Sequence, residues 1–118
     1  MSSFKEKFCK DNTLQQRKNE SSKILKKFTN KLPVVISEGD NSIVLDKHKY
    51  LVPRDITVGQ LLYVIRQRIE CISSEKALYL SVKNTMATSR TELYDIYEQY
   101  KDEDGFLYFS VFSENTFG

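Results

Sequence analysis

Apolar residues recur along this chain at two spacings, and the switches between them mark out helices and strands. Ile24, Leu25 and Phe28 share a helical face, with Arg17, Lys18, Lys23, Lys26 and Lys27 on the others. Thr13 with Gln16 three residues on has capping-box spacing, so a basic amphipathic helix is predicted over roughly 13–29. A shorter helical turn fits Phe4–Phe8. Leu32-Pro33-Val34-Val35-Ile36 is short and rich in β-branched residues. It reads as a strand, with Pro33 near its start, where a missing N–H matters least. Ser37–Ser42 is turn chemistry, followed by Ile43-Val44-Leu45 and Tyr50-Leu51-Val52, and Pro53 ends the run. Thr57 and Gln60 repeat the capping-box spacing. Val58, Leu61, Leu62, Ile65 and Ile69 then fall at i, i+3, i+4, i+7 and i+11, a helix with one face to a core. Ala77–Val82 reads as a strand. Ser89 and Glu92 give a third capping-box spacing ahead of Leu93, Ile96, Tyr97 and Tyr100. Asp104-Gly105 is a turn dipeptide, and Phe106–Phe112 is the last strand.

The predicted order is helix, strand, strand, helix, strand, helix, strand. A hairpin, a helix across it and two further strands is the order of a β-grasp domain, and it predicts an α+β fold with a mixed four-stranded sheet. The N-terminal helix is extra to that core. A chain of 118 residues suits one such domain. Residues 1–29 form a helical extension, 30–112 the core and 113–118 a tail.

Composition narrows the function. Hydrophobic residues make up 40% and charged residues 29%, the balance of a soluble domain. No apolar run approaches the ~20 residues of a bilayer span, and Met1–Lys7 lacks the apolar stretch of a secretory signal. A cytoplasmic protein is expected. Cys9 and Cys71 fit no metal or redox spacing and read as reduced thiols. With one histidine, His48, and four scattered glycines, no nucleophile pair, zinc set or phosphate loop is present. Neither resident catalysis nor a cofactor is expected.

Charge is uneven. Residues 1–31 carry nine Lys/Arg against three Asp/Glu, a net of +6, and residues 90–118 carry two against seven, a net of −5. A basic arm of this kind either meets an acidic surface or simply solvates a helix. Phe4, Phe8 and Phe28 are not spaced as a base-stacking platform, so nucleic acid is not expected as a partner. At the other end, Ser113-Glu114-Asn115-Thr116-Phe117 leads to Gly118. A terminal glycine on a polar stalk presents a bare carboxylate that an enzyme channel could admit and join to an amine. The pattern alone fits a frayed terminus as well.

Several blocks in order carry a resemblance: Arg17-Lys18-x-Glu20, Lys31–Val35, Asp46-Lys47-x-Lys49-Tyr50-Leu51-Val52-Pro53, Thr57–Gln60, Val64-Ile65-Arg66-x-Arg68-Ile69, Tyr100–Tyr108 and Glu114–Gly118. Over roughly residues 15–118 the chain resembles the autophagy ubiquitin-like modifiers, the GABARAP family and its light-chain relatives. The resemblance implies a ubiquitin-like fold preceded by two helices. It implies that the Gly118 carboxylate is activated with ATP by an activating enzyme, passed as a thioester to a conjugating enzyme, and left as an amide on phosphatidylethanolamine. A deconjugating cysteine protease belongs to the same system. The protein would then be cytoplasmic, and on the autophagosome membrane when lipidated.

The resemblance also implies peptide capture by β-augmentation, from receptors or adaptors carrying aromatic-x-x-aliphatic motifs. Its aromatic pocket would use Glu20, Ile24, Pro33, Val35, Lys49, Leu51 and Phe106. Its aliphatic pocket would use Tyr50, Val52, Pro53, Ile56, Leu61 and Val64. Arg66 would pair with an acidic group at the aliphatic end, and Lys47 and Lys49 with acidic residues beside the aromatic. Read from the pattern alone, Leu61, Val64, Leu51 and Phe106 serve equally as core, and Lys49 and Arg66 as surface charges. The alternative function is an unconjugated peptide-binding adaptor. Four stretches depart from the relatives: Cys9–Leu14, a short Ser37–Ser42 loop, the polar Ser81 and the proline-free Asn84–Thr88.

Overall fold

Local chemistry starts the helices. Thr13 caps α2 (Leu14–Lys27): its hydroxyl accepts from the Gln16 N–H, and the Gln16 side chain accepts from the Thr13 N–H. Thr57 and Gln60 make the same reciprocal pair at the start of α3 (Val58–Arg66). The computed structural model describes residues 3–70 and 76–114. The expectations for Cys71, Gly118 and the end of the tail lie outside them.

The strands are β1 (Lys31–Glu38), β2 (Val44–Leu45), β3 (Lys49–Pro53), β4 (Ile69–Glu70), β5 (Ala77–Val82), β6 (Thr85–Met86) and β7 (Leu107–Glu114). One sheet runs β3-β1-β7-β5-β6, with β1 and β7 parallel and the other neighbours antiparallel. It is the mixed sheet the pattern predicts, extended by the two-residue β6. β2 and β4 pair separately. Val34, Ile36, Leu80, Leu107, Phe109 and Val111 fill one face against α3 and α4 (Leu93–Tyr100). The other face holds Phe8, Val35, Phe106 and Tyr108 beneath α2 and α1 (Phe4–Asp11). β1 is buried on both faces, so its sequence is a continuous apolar run rather than an alternation.

The structure revises several boundaries. The turn at Phe4–Phe8 is a full helix, capped by Ser3. α3 stops at Arg66, and Ile69 pairs with Leu45 in the small β2–β4 sheet instead of continuing the helix. Only Lys49–Pro53 forms the hairpin partner of β1. Ser37 and Glu38 extend β1, and Ser113 and Glu114 extend β7 because their partners Leu78 and Ala77 continue opposite them. Ser89 does not cap α4. Its N-cap is Glu92, which makes no side-chain capping bond.

The Asp104-Gly105 turn packs against α2. Gly105 has φ +90°, and a Cβ there would run into Ser21 of α2. Asp104 beside it is buried. The Ser21 hydroxyl donates to the Asp104 carbonyl at 2.6 Å, and Arg17 Nε meets its carboxylate at 2.9 Å. Among the described residues, no helix is long and apolar enough to cross a membrane, and no three His, Cys, Asp or Glu side chains converge as metal ligands.

Candidate functional site

β3 is an outer strand of the sheet, so one row of its backbone groups has no strand partner among the described residues. The Ile36 N–H donates to the His48 carbonyl at 2.8 Å. With Val34 opposite Tyr50 and Leu32 opposite Val52, this phase makes residues 36/48, 34/50 and 32/52 the bonded pairs. The N–H and C=O groups of Lys49 and Leu51 therefore point outward. Pro33 stands opposite Leu51, in a pair that exchanges no bonds, and one residue before the β1–β7 pairing begins at Val34. Its missing N–H leaves no gap in either ladder.

Side chains alternate along β3. Tyr50 and Val52 enter the core, while Lys49 and Leu51 stay exposed, Leu51 at 41%. A cavity of about 200 Å³ opens between β3 and α2, lined by Glu20, Ile24, Lys47, Lys49, Leu51 and Phe106, with Val34 and Tyr50 bordering it. Lys49 Nζ and Glu20 Oε2 meet at 2.8 Å, with both side chains well exposed. An exposed pair of this kind contributes about 0–1 kcal/mol, so either partner exchanges readily for a ligand group. Lys49 Nζ also lies 4.4 Å from the Phe8 ring centroid, and Lys47 Nζ 5.3 Å from that of Tyr50.

The apolar side of the cavity is set from below. The Phe106 N–H donates to Asp104 Oδ1 at 2.8 Å, and its ring meets Phe8 of α1 edge-on at 5.4 Å between centroids. Arg17 and the Tyr108 hydroxyl both donate to Asp104 Oδ2. Arg17 also reaches the Asn12 carbonyl at 2.6 Å and the Cys9 carbonyl at 3.3 Å. Burial, with Asp104 adding its hydrogen bond and charge, pushes the Tyr108 phenol well above its ordinary range. Burial alone would lower the Arg17 guanidinium, but Asp104 outweighs it and raises it.

The other residues expected at a peptide site are placed variously. Val35 is fully buried on the α1 side and does not line the cavity, and Pro33 is also buried. Leu61 has no exposed surface, and Tyr50 and Val52 are closed into the same core. Pro53 and Ile56 are half-buried, and Val64 is 43% exposed. Arg66 Nη2 donates to the Lys76 carbonyl at 2.6 Å, while its Nη1 is buried with no partner among the described residues. Sequence reasoning missed Tyr63, 69% exposed beside Val64, and missed Phe8 as the support beneath Lys49 and Phe106. The weak Phe4–Phe8 spacing was the only signal for Phe8.

A family model described as autophagy protein Atg8, ubiquitin like, matches residues 16–118. The chain belongs to the Atg8 family. Autophagy-related protein 8B of Oryza sativa subsp. indica is 46% identical over 116 residues, covering 97% of each chain. Autophagy-related protein 8 of Kluyveromyces lactis is 47% identical over 119 residues, covering 99% of this chain and 92% of its own. The crystal structure of Trypanosoma brucei ATG8 superposes with TM-score 0.85 at 38% identity, covering 95% of this chain and 97% of its own. Plasmodium falciparum Atg8, solved in complex with a Plasmodium falciparum Atg3 peptide, superposes with TM-score 0.79 at 33% identity, covering 92% and 96%. The α+β fold with its mixed sheet is thus the ubiquitin-like fold of Atg8 proteins, and the chain is an autophagy-related ubiquitin-like protein.

Proposed function

We propose that this Atg8-family chain is a modifier whose Gly118 carboxylate is joined to phosphatidylethanolamine, and which then recruits receptors to the autophagosome membrane through the β3 edge. The observation that carries the recruiting half is the open edge at Lys49 and Leu51 beside a cavity whose mouth pair is exposed and exchangeable. An extended peptide adds its main chain to that edge and sets an aromatic side chain between Ile24, Leu51 and Phe106. Its acidic flank takes Lys49 from Glu20 and meets Lys47. The aliphatic side chain lies over Pro53, Ile56 and Val64, with Tyr50, Val52 and Leu61 backing that wall from within. Arg66 meets an acidic group there only by swinging off the Lys76 carbonyl. Val35 and Pro33 hold β1 in place and do not touch the peptide. The Atg3 peptide bound by the Plasmodium relative supports a peptide from the conjugation machinery as one ligand.

In the conjugating half the chemistry belongs to the partner enzymes. ATP activates the glycine carboxylate, a cysteine thiol of the conjugating enzyme takes the acyl group, and the lipid amine displaces the thiol to form the amide. The chain is the substrate, and a cysteine protease reverses the bond. Incubation with activating and conjugating enzymes, ATP and phosphatidylethanolamine liposomes should add one phospholipid mass, and Gly118→Ala should abolish it. An unchanged mass, with the enzymes active on another substrate, would leave a peptide-binding adaptor in place of the modifier.

A further inference from the structure

The face of the sheet under α1 and α2 is apolar and aromatic, but it turns hydroxylic along one cross-strand row. Ser37 of β1 stands beside Ser110 of β7, and Ser110 opposite Ser81 of β5. With neighbouring strands ~4.8 Å apart, the three hydroxyls line the floor of a cavity over about 10 Å. Its volume is about 240 Å³. Lys5 of α1 forms one flank and the Lys83-Asn84 turn the other. That turn has φ of 47° and 64°, the left-handed pair of a two-residue hairpin between Val82 and Thr85, so its position is fixed by the β5–β6 pairing.

Among the described residues, the hydroxyls of Ser81 and Ser110 make no hydrogen bond. The Lys5 N–H donates to the buried Ser37 Oγ at 3.2 Å, which leaves the Ser37 hydroxyl proton to point elsewhere. Among the described residues, neither Lys5 nor Lys83 lies within 4.0 Å of a carboxylate. Lys5 Nζ is steadied instead over the Tyr108 ring, 4.7 Å from its centroid. The nearby carboxylates, Glu6, Glu38 and Asp40, line a neighbouring cavity that shares Ser3 with this one. Among the described residues, no acidic side chain lines the serine-floored one.

We propose that this cavity is a binding site for a phosphomonoester group. Such a group carries between one and two negative charges near neutral pH, with a second pKa of ~6, and three acceptor oxygens. The donors reach the cavity from the sheet floor and from two facing flanks, an arrangement that suits a tetrahedral anion better than a planar carboxylate. Hydrogen bonds from ammonium groups to an ionised phosphate are roughly twice as strong as neutral ones. Ser81 accounts for part of this. It is the polar member of an otherwise apolar strand end, Leu80-Ser81-Val82, and a larger apolar side chain there would fill the floor.

The test is an amide NMR titration of the full chain with inorganic phosphate, with acetate at matched ionic strength as control. Saturable shifts should be confined to Lys5, Ser37, Ser81, Lys83, Asn84 and Ser110, and should be absent with acetate. The double variant Lys5→Gln/Lys83→Gln, at two exposed positions, should weaken the response at least tenfold, and Ser81→Val should weaken it in an otherwise native spectrum. Vesicles containing phosphatidic acid, compared with vesicles of phosphatidylethanolamine alone, separate the sources. A preference for phosphatidic acid that the double variant removes makes the ligand a lipid headgroup, and a response to phosphate without that preference makes it a soluble anion. Shifts that rise linearly with ionic strength, that acetate reproduces, or that survive the double variant overturn the proposal.

Discussion

At the scale of single residues, Asp104 ties the most together. Its carboxylate accepts from Arg17, Tyr108 and the Phe106 N–H, and its carbonyl from Ser21. Removing one partner of a buried ion pair strands the other, which typically costs about 3–5 kcal/mol. Asp104→Ala should lower unfolding stability by about that amount in urea titrations, and a loss under ~1 kcal/mol would mean that water replaces the network. Three tyrosines set an alkaline limit. Burial, with Asp46 adding, pushes the Tyr50 phenol up to about 12, burial raises Tyr97, and burial together with Asp104 raises Tyr108. An unfolded tyrosine ionises near pH ~10. Because the folded values are raised, the native state keeps protons that the unfolded state has lost. The stability these groups contribute is whole below pH ~10 and, for Tyr50, is lost as pH rises to about 12. Phenolate absorbance should show Tyr50, Tyr97 and Tyr108 ionising above the ordinary tyrosine range while the fold persists. A single step near pH ~10 for all seven tyrosines, with the far-ultraviolet circular dichroism unchanged, would contradict this.

At the scale of elements, the helices with complete capping boxes were legible because their signal is local. Thr13/Gln16 and Thr57/Gln60 each need only a four-residue window. Ser89 and Glu92 have the same spacing, but the Ser89 carbonyl accepts from the Gly59 N–H and Thr57 bridges to Glu92, so tertiary pairing draws that segment beside α3 and α4 begins four residues later. The β2–β4 pair and the second half of α1 escaped for a related reason: they rest on partners remote in sequence, Glu70 for Val44 and Tyr108 for Cys9. The same logic applies to the candidate groove. Alternation along Lys49–Pro53 was readable, but whether Val35, Leu61 or Val52 faced a ligand or the core depended on which helix covers which sheet face. The missing cap also gives a prediction. Glu92 makes no capping bond, and a good N-cap is typically worth ~1 kcal/mol. Glu92→Ser should raise stability by about 0.5–1 kcal/mol, read as a higher urea midpoint at constant slope. A decrease would show that Glu92 works through its contacts with the Arg54 side of the neighbouring cavity.

At the scale of the whole molecule, charge and shape make separable contributions to the proposed groove. Residues 1–31 carry a net of +6, and Lys47 and Lys49 extend that basic character to the mouth of the cavity. An acidic peptide would be drawn by this field, and exposed charges are screened: the Debye length is ~10 Å at 0.1 M salt and ~3 Å at 1 M. Leu51 acts differently. It is 41% exposed and carries no charge, so its contact with a peptide side chain does not fade with salt. Because it is not core, Leu51→Ala should leave the urea midpoint nearly unchanged, and its effect on binding is then read without a folding correction. The two variants should therefore diverge in a calorimetric titration with an acidic aromatic-x-x-aliphatic peptide. Leu51→Ala should weaken binding about tenfold at every salt concentration, as expected for ~1.4 kcal/mol of lost apolar contact. Lys49→Ala removes a cation and leaves Glu20 facing the peptide's acids, so its deficit should be large at low salt and shrink toward nothing at 1 M. Parallel salt dependences for the two would mean that Lys49 serves the groove through packing on Phe8 rather than through its charge. No loss from either would move the peptide off the β3 edge altogether.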